Sequence, residues 1–244
     1  MTGPRVIAVT GLKAEARLVA GPRVGTVSGT GDALGLERAL RVMIAKQPSA
    51  IISFGVAGGL APELAPGSKL VARAIITEDG ARYYSHPAWS MRLADALGEV
   101  TIGDIAGVDA PVAGRAEKRA LRINTGAHAV DTESHVAARV AAAHGLPFAA
   151  FRVVADPADR QLPHAALVAM NPDGSIAVGA IAGSILRDPR QVPQLLRIAL
   201  DARAAFAALF RGRKMVAGSL GFSDFAEFLL DLPAEDELSG PLQV

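Results

Sequence analysis

Short apolar runs alternate along the chain with stretches rich in Ala, Leu and Arg. The runs predict strands at residues 5–10, 23–28, 49–54, 69–77, 99–106, 127–130 and 147–154. The stretches between them predict helices after the first two strands and at residues 87–97, 115–122, 134–144 and 191–211. This alternation is typical of α/β layering, and no linker divides the chain. We therefore expect one domain over residues 1–244, with residues 215–244 as an apolar and acidic C-terminal extension of it.

Composition narrows the function classes. The 244 residues carry 25 Lys and Arg against 24 Asp and Glu, so the chain lacks the basic excess of a nucleic-acid-binding surface. It has no cysteine, which excludes disulfides and thiolate metal sites and fits a reducing, cytoplasmic location. Charges interrupt the first 20 residues, so we expect no signal peptide. No uncharged apolar stretch reaches 18 residues, and we expect no transmembrane segment.

Small, polar or acidic residues concentrate where predicted strands end. Five such segments occur, at residues 11–15, 28–32, 55–59, 131–133 and 155–156. In open α/β sheets, ligands bind at the carboxyl ends of the strands. The five segments are therefore predicted to form one site.

Two of these segments are rich in glycine. Gly29 precedes a predicted helix, where its backbone could approach a ligand, although the segment completes neither a dinucleotide-binding nor a Walker motif. Residues 55–59 (GVAGG) follow a predicted strand that we expect to end at Phe54. Their backbone is expected to form a turn, and a flat ligand could lie against it because glycine has no side chain. Ordinary turns are the alternative interpretation of both segments.

Three acids are candidates for chemistry. Glu133 begins a predicted helix, and one carboxylate can accept hydrogen bonds from both vicinal hydroxyls of a ribose. Asp156 ends the most apolar strand, and Pro157 keeps it extended. Glu15 lies on the helix after the first strand. A helix cap, a structural turn and a solvated helix face are the alternative roles of Glu133, Asp156 and Glu15.

The surroundings of Asp156 suggest a general acid. A carboxyl group walled by Phe151, Val153 and Val154 would be desolvated, which raises its pKa towards neutrality. The five histidines have no metal-type spacing, so we predict no metal site. No G-x-S-x-G motif supports serine-hydrolase chemistry.

Three motifs in order resemble the nucleoside phosphorylase/nucleosidase superfamily, in particular its methylthioadenosine/S-adenosylhomocysteine nucleosidase-like branch. They are GVAGGLAP at residues 55–62, VDTE at 130–133 and FRVVAD at 151–156, within a resemblance that runs from residue 6 to 211. The resemblance implies a three-layer α/β/α fold around a mixed, partly barrel-like sheet.

The resemblance also implies roles for individual residues. Asp156 stands where the family protonates N7 of the leaving purine, Glu133 where it binds the ribose hydroxyls, and Glu15 where nucleosidases activate water. Thr132 takes a position beside the ribose that is usually Met. The other expected substrate-binding residues are Asp131, Gly29, Val56, Ala57, Gly58, Pro111, Val112 and Ala155. No metal or redox cofactor is required.

Departures from the family pattern bear on the nucleophile. Ser53 stands where the phosphorylases carry a phosphate-binding Arg, and residues 11–17 lack a clear counterpart of their first such Arg. These losses favour hydrolysis over phosphorolysis. Val56 replaces a common Ser, and Pro111 stands where nucleosidases often stack a Phe on adenine, so the base pocket is expected to be altered.

The chain looks most like the hopanoid-associated phosphorylases, which are linked to removal of adenine from adenosylhopane. A lipid-linked purine nucleoside is therefore the expected substrate, and peripheral membrane contact and a homodimer are further expectations from the resemblance. The alternatives are phosphorolysis, methylthioadenosine/S-adenosylhomocysteine nucleosidase activity, a non-catalytic nucleoside-binding protein and an unrelated small-molecule-binding domain.

Overall fold

A computed structural model describes residues 5–29, 33–167, 175, 177–216 and 218–222. The strands in these ranges are β1 (Val6–Thr10), β2 (Val24–Ser28), β3 (Ala50–Gly59), β4 (Lys69–Thr77), β5 (Arg82–Tyr84), β6 (Thr101–Gly107), β7 (Ala129–Asp131) and β8 (Phe148–Asp156). The helices are α1 (Lys13–Val19), α2 (Ala33–Ile44), α3 (Pro87–Leu97), α4 (Arg115–Thr125), α5 (Ser134–Ala143), α6 (His164–Leu167), α7 (Val178–Arg187) and α8 (Val192–Met215). Nearly all of the predicted C-terminal extension, from residue 223 onwards, lies outside the described residues. No described helix is both long and apolar enough to cross a bilayer.

The strands form one mixed sheet that closes on itself in part. β3, β7, β6, β4 and β8 pair in a ring, because β8 joins both β3 and β4. β1 and β2 extend the sheet from β3, and β5 extends it from β4. Pairing is parallel between β1, β2 and β3, and antiparallel where β3 meets β7 and β4 meets β8.

Helices cover both faces of the sheet. Alternate residues of a strand point to opposite faces, so Ile7 and Val9 of β1 enter a core with α2 and α5, whereas Val6 and Ala8 enter a second core with α3 and α8. Phe151 belongs to this second core. The predicted three-layer α/β/α fold around a mixed, partly barrel-like sheet is therefore confirmed.

The prediction that the third strand ends at Phe54 was wrong. β3 continues to Gly59, so the glycine motif is the last part of a strand that belongs to the ring. The backbone of Gly58 pairs with Val130 of β7 on one side and Asp156 of β8 on the other. A Cβ at this position would lie 3.3 Å from Val130 Cγ1 and 3.4 Å from Asp156 Oδ2, so a larger residue would pack tightly against both side chains. The short elements β5, α6 and α7 were not predicted.

Candidate active site

A cavity opens where β1, β7 and β8 end and β3 passes between them. It is lined by Gly11, Leu12, Glu15, Val56, Ala57, Gly58, Val108, Pro111, Val112, Val130, Asp131, Thr132, Glu133, Ala155, Asp156 and Leu162. Every site residue predicted from the sequence contributes to this wall except Gly29. Three acids from distant parts of the chain, Glu15, Glu133 and Asp156, therefore face one cavity.

Glu15 is held rigidly at the floor of the cavity. Its side chain is buried, and its Oε1 accepts a hydrogen bond from the backbone N–H of Val56 at 2.7 Å. Its Oε2 accepts from the N–H groups of Gly11 at 2.9 Å and Leu12 at 2.8 Å. Burial raises the pKa of Glu15 to about 7, against the lowering effects of Arg152 and the backbone donors. Glu15 is thus poised to exchange a proton near neutral pH.

Gly55 makes room for Glu15. A Cβ on Gly55 would lie 2.6 Å from Oε1 of Glu15, which is closer than real Cβ contacts, and the φ angle of 153° is one that L side chains rarely adopt. The first glycine of the motif therefore lets β3 pass against the carboxylate. The sequence had suggested only a wall for ligand at this position.

Glu133 lies at the N-cap position of α5. Thr132 Oγ1 donates a hydrogen bond to its Oε1 at 2.5 Å, and Nη2 of Arg152 donates to its Oε2 at 3.3 Å. Burial raises the pKa of Glu133, Arg152 opposes this rise, and Asp131 adds to it. Gly29 lies behind Glu133, since a Cβ there would contact Oε1 at 3.4 Å. Gly29 therefore shapes the space for Glu133 and does not line the cavity.

Arg152 lies beneath these acids and was not identified as a site residue from the sequence. Its guanidinium is buried, with Nε 2.9 Å from Oδ2 of Asp131 and Nη2 3.3 Å from Oε2 of Glu133. Nη2 also donates to Ser53 Oγ at 2.6 Å, and Nη1 donates to the carbonyl of Val56 at 3.2 Å. An arginine within the most apolar strand was the available signal, because buried charges are almost always paired.

Asp131 ties Arg152 to the start of α5. Its Oδ1 accepts from the backbone N–H groups of Glu133 at 3.0 Å and Ser134 at 2.7 Å, and its Oδ2 accepts from Ser134 Oγ at 2.5 Å. A carboxylate is favoured at a helix N-terminus. Both oxygens of Asp131 are therefore engaged in holding Glu133 and Arg152, although the residue borders the cavity.

Asp156 has a partner that the sequence did not indicate. Its Oδ2 accepts a hydrogen bond from Nζ of Lys118, a buried residue of α4. Burial raises the pKa of Asp156, while Lys118 lowers it. The desolvation was expected, but its source is different: Phe151 and Val153 point into the core under α3 and α8 and are absent from the cavity wall.

The remaining wall is mainly apolar. It comprises Val108, Pro111 and Val112 after β6, Val130 of β7, and Leu162. The backbone N–H of Leu162 donates to the carbonyl of Ala113 at 3.1 Å, which joins the segment after β8 to the segment before α4. Leu162 and Val108 were not predicted as site residues.

Comparisons with known proteins give consistent results. A family model described as the phosphorylase superfamily matches residues 19–187. No curated protein sequence is significantly similar to the chain. Among solved structures, the 5′-methylthioadenosine/S-adenosylhomocysteine nucleosidase of Campylobacter jejuni superposes with a TM-score of 0.59 at 16% identity, covering 87% of this chain and 98% of that one. Futalosine hydrolase of Helicobacter pylori superposes with a TM-score of 0.62 at 14% identity, covering 86% and 97%. At these identities the similarity to the solved structures is one of fold.

Proposed function

Because the chain belongs to the phosphorylase superfamily, we propose that it cleaves the N-glycosidic bond of a purine nucleoside, with water as the attacking nucleophile. The observation that carries this proposal is the single cavity bordered by Glu15, Glu133 and Asp156. These acids divide the reaction into departure of the base, stabilisation of the sugar and activation of the nucleophile.

Departure of the base is assigned to Asp156. The purine accumulates negative charge as the bond to C1′ breaks, and a proton delivered to N7 relieves that charge. Burial, which raises the pKa of Asp156, supports this role. The pairing with Lys118 keeps one oxygen of the carboxylate fixed at the cavity wall.

The ribose is assigned to Glu133. Its carboxylate can accept hydrogen bonds from two vicinal hydroxyl groups, and its position is held by Thr132 and Arg152. The sugar becomes cation-like in the transition state, and nearby carboxylates stabilise that charge. The same group therefore positions the substrate and lowers the barrier.

Activation of water is assigned to Glu15. A pKa of about 7 leaves a large ionised fraction at neutral pH while keeping the carboxylate basic enough to take a proton from water. Three backbone donors fix both of its oxygens, so it needs no reorganisation before the reaction.

The charge of the cavity favours water over phosphate. None of its described lining residues is Lys or Arg. Arg152 lies behind Asp131 and Glu133 and forms ion pairs with both, and Ser53 is buried in contact with it. A phosphate dianion beside Glu15 and Glu133 would meet like charge in a desolvated site, which is unfavourable. The description of the family as phosphorylases keeps phosphorolysis as the second candidate function.

The reaction outcome separates the two nucleophiles. The protein is incubated with adenosine in phosphate-free buffer made with ¹⁸O-labelled water, and adenine and the sugar product are measured by mass spectrometry. Hydrolysis gives adenine and ribose labelled at C1, whereas a strict phosphate requirement and ribose 1-phosphate would overturn our choice of nucleophile. Asp156→Asn is the control, and undiminished adenine release by this variant would refute its assignment as the acid.

The substrate is inferred to be an adenine nucleoside with a large apolar 5′ group, of the adenosylhopane type. The apolar wall supports this inference. The cavity encloses about 150 Å³, less than the ~300–1,000 Å³ of common ligand pockets, so a bulky 5′ group would extend beyond its mouth. The comparison to make is kcat/KM for adenosylhopane, methylthioadenosine, S-adenosylhomocysteine and adenosine; a preference for one of the small thioethers would favour the nucleosidase alternative.

The assembly is also part of the proposal. We expect a homodimer that makes peripheral contact with membranes when its substrate is lipid-linked. Light scattering after gel filtration tests the dimer, and co-sedimentation with vesicles that contain adenosylhopane tests the contact. A monomer at working concentration, or no binding to the loaded vesicles, would contradict the respective expectation.

A further inference from the structure

Lys118 is the one charged residue of α4 that is buried. The helix has the sequence RAEKRALRINT, and Lys118 is fully buried while Arg115, Glu117 and Arg119 are exposed. A lysine is almost never fully buried unless it is paired. The burial of Lys118 therefore requires hydrogen-bond partners outside α4.

The ammonium group of Lys118 has a complete set of partners. It donates to Oδ2 of Asp156, to the carbonyl of Pro157 at 3.0 Å and to the carbonyl of Arg160 at 3.3 Å. An ammonium has three donors, so all of them are used by the last residue of β8 and the segment that follows it. The described residues provide no hydrogen bond to Oδ1 of Asp156, the oxygen that is left for a ligand in the cavity.

We propose that Lys118 is a positioning residue for departure of the base: it holds Asp156 by Oδ2 and replaces the proton that Asp156 passes from Oδ1 to the leaving purine. This inference rests on the proposed function, because it concerns the acid of that reaction. It adds a residue, and a source for the proton, to the mechanism given above.

The need for such a source follows from the opposite wall of the cavity. Glu15 must be ionised to act as a base, and its pKa of about 7 places that requirement at or above neutral pH. The acid must still hold a proton at the same pH. Burial raises the pKa of Asp156, but the charge of Lys118 lowers it. Because Lys118 donates a hydrogen bond to Oδ2 of Asp156, it is placed to return a proton to that carboxyl group.

The proton balance of the step is complete. As the C1′–N9 bond breaks, its electron pair passes to the purine and Asp156 gives the proton on its Oδ1 to N7. At the same time the proton on Nζ of Lys118 passes to Oδ2 of Asp156, so the carboxyl group stays protonated and Lys118 becomes neutral. The water oxygen bonds to C1′, and Glu15 takes one water proton. Neutral Lys118 and protonated Glu15 return to their starting states by exchange with solvent after the products leave.

Other charged groups face the pair without replacing Lys118. Arg160, in the segment after β8, lowers the pKa of Asp156, and Asp201 of α8 raises it. These two residues form an ion pair with each other, with 2.9 Å between Nη2 and Oδ2, so their effects oppose. Glu15 and Glu133 occupy other parts of the cavity wall.

The test compares two leaving groups. Adenosine needs a proton on its base, whereas 4-nitrophenyl β-D-riboside releases a stable phenolate without one. In Lys118→Met we expect kcat for adenosine to fall by ~10²–10⁴-fold, the range of general acid catalysis, and kcat for the nitrophenyl riboside to change by less than about threefold.

Lys118→Arg tests separately whether residue 118 only holds Asp156 or also supplies a proton to it. Arginine keeps the positive charge beside Asp156 but does not release a proton. We expect this variant to keep the nitrophenyl activity and to lose adenosine turnover above pH 7. It also decides the question should Lys118→Met fail to fold. Arg119→Met, an exposed position on the same helix, is the matched control and should leave both activities unchanged.

Each outcome has a definite meaning. Equal losses on both substrates in folded variants, or full adenosine activity above pH 7 in Lys118→Arg, would overturn the role of Lys118 and leave the proposed function intact. A wild-type protein that releases no base from purine nucleosides would instead refute the proposed function, and the role of Lys118 would fall with it.

Discussion

Replacement of Arg152 by methionine is expected to remove much of the stability of the fold. The guanidinium lies 2.9 Å from Asp131 and 3.3 Å from Glu133, and its charge also acts on Glu15. Methionine fills similar space but leaves these carboxylates buried without their cation. Breaking a buried ion pair by removing one partner costs about 3–5 kcal/mol. For a chain of this size, each kcal/mol lowers Tm by ~2–4 °C, so we expect a decrease of ~6–20 °C.

The loss should depend on pH in a defined direction. Arg152 lowers the pKa values of Glu133 and Glu15, so both rise further above 4.5 in the variant. A carboxyl with a raised pKa binds its proton more tightly in the folded state, and its stabilising effect is lost as pH rises from the unfolded value through the folded one. The deficit of Arg152→Met relative to wild type should therefore be smaller at pH 5 than at pH 8.

Urea unfolding at pH 5 and pH 8, with thermal melts in parallel, measures both effects. Arg41→Met is the matched control: Arg41 is also paired with a carboxylate, that of Glu37, but its side chain is 61% exposed, and surface pairs contribute only about 0–1 kcal/mol. Addition of Glu133→Gln to Arg152→Met should restore part of the loss, because one unpaired charge is removed. A deficit below about 1 kcal/mol at pH 8, or an equal deficit at both pH values, would refute the electrostatic reasoning.

Three further substitutions test the other acids. Glu15→Gln should lower kcat for hydrolysis by ~10²–10⁴-fold and abolish the rise of kcat/KM through about pH 7, measured as adenine release across pH 5–9; an unchanged acidic limb would contradict the role of Glu15 as the base. Glu133→Gln should reduce the preference for adenosine over 2′-deoxyadenosine by at least about tenfold in kcat/KM, and a preserved preference would show that the ribose hydroxyls bind elsewhere. Gly55→Ala should decrease both stability and activity because its Cβ would clash with Glu15, whereas the exposed Gly126→Ala should affect stability only; a fully active Gly55→Ala would show that the carboxylate can move.

The general fold and the location of the cavity were within reach of the sequence because both follow from local patterns. Apolar runs predicted most strands, and parallel strands bring their carboxyl ends to one edge of a sheet. Glu15 and Asp156 follow or end strands that are parallel to β3. Glu133 follows β7, which is antiparallel to β3, but it faces the same cavity. Their chemical roles remain predictions.

The sequence could not identify Lys118 as a buried residue, nor the partners of Arg152, for a physical reason. Each is buried because of a partner that is distant in the chain: Asp156 is 38 positions from Lys118, and Ser53 is 99 positions from Arg152. Lys118 cannot be told from the exposed charges beside it on α4 until the helix is docked. The strand through the glycine motif was missed because glycine usually indicates a turn, whereas Gly55 is required here by the side chain of Glu15, which packs against it from α1.

The position of β3 between β7 and β8 fixes the distance between two parts of the cavity wall. Gly58 is paired on one side with Val130, which leads to Glu133, and on the other with Asp156. Adjacent strands are ~4.7–4.9 Å apart, so two backbone intervals, ~9–10 Å, separate β7, which leads to Glu133, from β8, which ends at Asp156. Side-chain repacking cannot change this interval. Under the proposed function, we therefore expect the protein to accept nucleosides with different 5′ groups. We expect it to reject nucleosides in which the distance between the base and the vicinal hydroxyls is changed.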